Sequence, residues 1–132
     1  MMRPTGHVLL SDCLLRTDQP LESMRAALRA HELDGADDRA VERMRAALVL
    51  LLRAEAAVPL SPAQAERIRE GVARCRQDPG VREALANKSL VAVLQEVMVS
   101  SQLLPVLREL HDPAFVVSFA RLRRACAEFW IR

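Results

Sequence analysis

Histidines, cysteines and carboxylates are the side chains of this sequence that could move a proton, attack a carbonyl or hold a metal, so their spacing decides first which chemistry is open. His7, His31 and His111 stand in unrelated contexts, and no Ser-His-Asp order, HExxH pair, P-loop or glycine-rich dinucleotide turn accompanies them. The chain has only four glycines. His31 falls on an apolar helical stripe, where a structural role is expected. His111 precedes Asp112 and is expected to face solvent or help end a helix. Asp34, Asp37 and Asp38 lack the ligand order of a calcium loop and read as helix punctuation. Cys13, Cys75 and Cys126 are odd in number and widely separated, so they spell neither a disulfide framework nor a Cys-x-x-Cys metal site. Catalytic residues: none; metal: none; cofactor: none.

Bulk composition narrows the class further. At 132 residues the chain is one domain's worth, with 51% hydrophobic and 27% charged residues, well clear of disorder. Richness in Ala, Leu and Arg, with no Tyr, favours helices over strands. The net charge is only +2, and the densest basic cluster, Arg-Leu-Arg-Arg at 121–124, is too small for a nucleic-acid footprint. That cluster is expected on a solvated face late in its helix. The longest apolar run, residues 46–52, is too short to span a bilayer, so no membrane insertion is expected. Free cysteines, the lack of a long apolar leader core and Asp12 near the start set the expectation of a cytoplasmic protein.

These residues must be carried by helices, and their starts can be read in turn. Residues 1–19 show no clear period and are expected to form an extended arm, tacked down by Val8, Leu9, Leu10, Leu14 and Leu15. Leu21, Met24, Leu28 and His31 then share one helical face, and after "LDGADD" a second stripe follows at Val41, Met44, Leu48, Leu51 and Leu52. Asp37 or Asp38 can cap this second helix. It is apolar nearly all round and is expected to lie centrally. "ESMRAAL" at 22–28 and "ERMRAAL" at 42–48 either mark two related helices packed as a hairpin over 20–58 or coincide by chance in an Ala/Arg/Leu-rich chain.

Ser61, Pro62 and Gln64 spell a capping box at the head of a connecting helix within 61–77, whose stripe is Ala65, Ile68, Val72 and Cys75. The stripe predicts Cys75 as a core residue rather than a reactive one. Asp78-Pro79 and Asp112-Pro113 each pair a carboxylate that accepts from orphan amides with a residue preset for the first turn. "NKS" at 87–89 and "VSSQ" at 99–102 offer two more starts. Residues 78–131 therefore read as four helices near 79–86, 89–98, 103–110 and 113–130. Their apolar faces are too broad to close over themselves, so residues 20–76 or a partner must cover the excess.

The spacing across 78–122 resembles the DP-repeat helical domain of stress-inducible co-chaperones of the Hop and Hip kind, related to the modules in ubiquilins. The residues that carry the likeness are Asp78, Pro79 and Val81, then Leu90, Val93, Leu94 and Val97, then Asp112-Pro113, then Phe115, Phe119, Arg121 and Leu122. Two departures are visible: "NKS" and "VSS" stand where that family has Asp-Pro or Asn-Pro, and no tetratricopeptide repeat or ubiquitin-like domain accompanies the region. "SQLLPVLRELHDPAFVVSFARLRRAC" also resembles an armadillo or HEAT repeat, although barely two repeats can be counted where solenoids need three.

The expectation is an all-α domain, a compact array of about seven short-to-medium helices. The DP-type resemblance implies that its last four form a cupped groove for an apolar or amphipathic helix of a partner protein. Its candidate lining is Val81, Leu85, Leu90, Val93, Leu94, Val97, Met98, Leu103, Leu107, Leu110, Phe115, Phe119 and Leu122, with helix caps at Ser61, Asp78 and Asp112. The function that follows is a non-enzymatic adaptor of the co-chaperone kind. The alternative is a structural subunit that buries the same face in a homo-oligomer or larger assembly.

Overall fold

The computed structural model describes residues 3–36 and 38–127. All the regular structure among them is helical: α1 (Pro4–Arg16), α2 (Pro20–Leu33), α3 (Asp38–Glu55), α4 (Pro62–Arg74), a 3-10 turn (Cys75–Gln77), α5 (Pro79–Leu85), α6 (Lys88–Ser100), α7 (Leu104–Glu109) and α8 (Pro113–Ala125). The all-helical expectation holds among these residues, which form eight α-helices where about seven were expected. The cap expected at Asp37, and the last residues of the helix expected near 113–130, lie outside the described residues.

Helix starts follow the local chemistry. Ser61 and Gln64 close the capping box in both directions, with Ser61 Oγ accepting from Gln64 N at 3.2 Å and Gln64 Oε1 accepting from Ser61 N at 3.0 Å. Asp78 Oδ1 accepts from Gly80 N and Val81 N at 2.8 and 3.2 Å, and Asp112 Oδ1 from Ala114 N at 3.0 Å. Asn87 does the same for α6, accepting from Ser89 N and Leu90 N. The "VSSQ" start works differently. α6 runs on to Ser100 and ends on Ser101 in the left-handed conformation, φ 59°, while α7 has no side-chain cap. Asp34 bends the chain after α2 by accepting from Ala36 N at 3.1 Å, as punctuation requires.

The expected extended arm is corrected to a helix. α1 lies against α2, and its buried face is Val8 and Ser11, with Leu15 packed on the main core. Leu9 and Leu10, expected to anchor the arm, are exposed. The contact is close because it is made by small side chains. Ser11 Oγ lies 2.9 Å from both the carbonyl and Oγ of Ser23, and Ser23 Oγ lies 2.8 Å from the Ser11 carbonyl. Both serines are fully buried.

α2 and α3 pack side by side, so the two similar heptapeptides do belong to a packed helix pair. The central position expected for α3 belongs instead to α8. α3 leaves Leu50 44% exposed, whereas Phe115, Val116, Phe119, Ala120, Leu122 and Cys126 at α8 have no exposure. α8 touches α2, α3, α5 and α6. Phe115 and Phe119 stack within it at a centroid separation of 6.1 Å. The main core joins Met24, Leu28, Met44, Leu48 and Leu52 from the first half to Val81, Leu90, Val97, Val106 and the α8 residues from the second, and Val8, Ala30 and Ala40 form a small satellite beside it. The broad apolar faces of the carboxy-terminal helices are therefore covered by one another, α5 on α8 above all, and by α2 and α3 from the first half.

The basic cluster is corrected as well. It is not a solvated face, since each guanidinium ties α8 to a different helix. Arg121 pairs with Glu83 of α5 at 3.1 Å, Arg123 with Glu55 of α3, and Arg124 with Glu32 of α2 at 2.6 Å. The side chain of Arg123 is only 5% exposed.

Candidate functional site

Closing that core divides the thirteen residues expected along a groove. Val81, Leu90, Val93, Val97, Leu103, Leu110, Phe115, Phe119 and Leu122 are buried in the common core. Leu107 packs on it from the side. Leu85, Leu94 and Met98 line an open apolar depression. Nine of the thirteen are thus covered by the chain itself, and an open depression lies between α4 and α6.

This depression has a cavity volume of about 430 Å³. One wall is α4, with Ile68, Val72 and Ala73. The other is α6, with Val91, Leu94, Met98 and Val99, and Leu85 at the end of α5 joins them. Its size falls in the usual range of binding clefts, and its lining is mostly apolar, as such clefts are. Val99 is 88% exposed, and Val91, Leu94, Met98 and Val72 are half-buried. The polar side chains of the lining are Arg69, Arg76 and Gln95, with no carboxylate among them. Arg69 reaches Glu66 one turn earlier at 3.2 Å in an exposed pair, which contributes little. The rim is therefore cationic.

Local sequence explains why a groove forms here. α4 has a narrow apolar stripe and buries only Ile68 and Gly71 within its span. α6 is apolar over more than one face. Leu90, Val93 and Val97 point into the core, which leaves Val91, Leu94, Met98 and Val99 on the α4 side. Sequence reasoning missed Ala73, Val91, Val99, Arg69, Arg76 and Gln95; Ile68 and Val72, read as part of a core stripe, do pack in and on the core and also edge the depression. The available signal was the mismatch between a broad apolar α6 and a narrow neighbour.

The titratable groups sit elsewhere. His31 ends α2 half-buried, and burial followed by the nearby Arg121 charge lowers its pKa. The Arg124 hydrogen bond lowers the Glu32 pKa, against an opposing push from burial. His111 is exposed, and its Nδ1 lies 2.9 Å from the Arg108 carbonyl at the end of α7. Among the described residues, no three His, Cys, Asp or Glu side chains gather to hold a metal ion, and no helix is long and apolar enough to cross a membrane.

No protein-family model, curated protein or solved structure matches this chain.

Proposed function

We propose that this chain is a non-enzymatic protein-binding module that seats an amphipathic helix of a partner protein in the α4–α6 groove. The observation that carries the reading is the open apolar trough bounded by two helices, with Leu94, Met98 and Val72 half-buried and arginines on its rim. A helix laid there presents anchors at i, i+3 or i+4 and i+7, the spacing of helix-in-groove recognition. Met98 and the leucines adapt to varied anchors. Each partner Leu or Phe fully buried contributes about 1.5–3 kcal/mol before ordering costs. The cationic rim favours a partner with acidic residues flanking its apolar face. The Asp-Pro caps and leucine spacing that resemble the DP-repeat family support the same adaptor-like reading, with the open groove displaced to the α4–α6 side.

The test is a molar-mass determination by light scattering, followed by titration with a labelled helical peptide bearing Leu anchors and flanking Glu. A monomer that binds, and loses binding in Leu94→Asp and Val72→Asp with its circular dichroism intact, supports the reading. A monomer that ignores the peptide, or that binds equally well in both variants, overturns it. A stable oligomer that both variants dissociate would give the groove to a second copy of the chain instead.

A further inference from the structure

Two of the three cysteines, 51 positions apart in the chain (126 − 75), meet at the seam between the end of α4 and the end of α8. Cys75 opens the 3-10 turn after α4, and Cys126 caps the end of α8. Each thiol rests on the backbone beside the other. Cys75 Sγ is 3.7 Å from the carbonyl of Ala125, the residue before Cys126, and Cys126 Sγ is 3.8 Å from the carbonyl of Gly71, one turn before Cys75. Cys126 is buried, Cys75 is half-buried and Cys13 is exposed on α1.

We propose that Cys75 and Cys126 are an intramolecular disulfide site, closed by a low-molecular-weight disulfide such as oxidised glutathione. The access is asymmetric, and that sets the order of steps. The Cys75 thiolate attacks one sulfur of oxidised glutathione, a sulfur–sulfur bond forms, and the glutathione thiolate leaves and takes a proton from solvent. Cys126 then gives its proton to solvent and attacks the Cys75 sulfur, and the second glutathione thiolate leaves and is protonated. The two protein thiols lose two electrons and two protons, and oxidised glutathione gains both to become two glutathione molecules. Burial holds the Cys126 thiol protonated, with its pKa pushed up to about 12, and the Cys75 hydrogen bond and charge add to the push.

The bond joins the far end of α4 to the most buried helix of the fold. It would convert a seam of thiol–carbonyl contacts into a covalent tie without recruiting Cys13.

The experiment exposes the folded full chain to oxidised glutathione, blocks the remaining thiols with iodoacetamide, and maps tryptic peptides by mass spectrometry. The expected result is a peptide pair linked through Cys75 and Cys126 and lighter by two hydrogens, with glutathione on Cys13. Cys126→Ser should leave glutathione on Cys75, which shows that Cys126 is the resolving thiol. Three results would overturn the proposal. These are Cys75 retaining glutathione in the unmutated chain, Cys75 and Cys126 both remaining alkylable after Cys13 has reacted fully, and the linked pair forming only in urea.

Discussion

Arg123 and Glu55 meet in a two-pronged ion pair between α8 and α3, with the guanidinium side chain 5% exposed and the carboxylate side chain 19% exposed. A buried pair of this kind gains little over well-packed apolar side chains, but it is costly to break from one side. Glu55→Gln should therefore destabilise the fold by about 3 kcal/mol, the lower end of the range for an uncompensated buried charge, because Glu55 keeps some water contact. The double variant Glu55→Leu with Arg123→Leu should recover much of that loss. Urea denaturation of the three proteins measures both effects, and a single variant no worse than the double would contradict the pair's role.

Apolar residues of the core and of the groove should respond unequally to truncation. Phe119→Ala removes a fully buried ring stacked on Phe115 and should cost about 3–5 kcal/mol. Leu94→Ala, at the half-buried groove wall, should cost well under 2 kcal/mol. Equal losses in thermal or urea unfolding would mean that the groove is closed in solution.

Ser11 and Ser23 fix how near α1 can come to α2. Ser11→Ala should cost about 1 kcal/mol through the lost hydrogen bonds. Ser11→Leu should cost more, because a larger side chain has no room between the two backbones. Hydrogen exchange should show the added protection loss in α1 before α8.

Acid should unfold this protein partly through α2. Glu32 has a folded pKa below its ordinary 4.5, caused first by the Arg124 hydrogen bond, so the unfolded state binds more protons. Its stabilisation is complete above 4.5 and fades as pH falls through the lowered folded value. His31 also has its pKa lowered, from 6.5, by burial first and Arg121 second, so stability also falls as pH drops through 6.5. Glu32→Gln should flatten the acid limb of a stability-against-pH curve below about 4.5, and His31→Gln should flatten the part near 6.5. An unchanged acid limb in Glu32→Gln would remove the ion pair with Arg124 from the account.

Helix starts were legible because their causes are local. Asp78-Pro79, Asp112-Pro113 and the Ser61 box act within four residues, and the chain needs no knowledge of its neighbours to obey them. α1 was hidden for the opposite reason. Its buried face contains Ser11, whose fitness comes from Ser23 twelve residues away, while the apolar Leu9 and Leu10 point outward. The α8 arginines looked like solvated charges because their carboxylates, Glu32, Glu55 and Glu83, are remote in sequence. The depression between α4 and α6 was not foreseen because periodicity shows which faces are apolar and not which of them meet. Leu94 and Phe119 are indistinguishable by that measure, yet one lines an open wall and the other the core. The Cys75–Cys126 approach was invisible for the same reason.

α4 is held chiefly at its ends. Before it, Leu60 N donates to the Ser101 carbonyl at 2.8 Å, and after it Cys75 lies against Ala125, while Ile68 and Gly71 are the buried residues within its span. A beam supported in this way yields at its middle long before its supports give way. The amides of α4 should therefore exchange with deuterium through small local openings, at a rate insensitive to low urea, while those at the centre of α8 wait for the whole chain to unfold. Width should therefore be the dimension of the trough between α4 and α6 that gives first, ahead of the packing around Phe115 and Phe119.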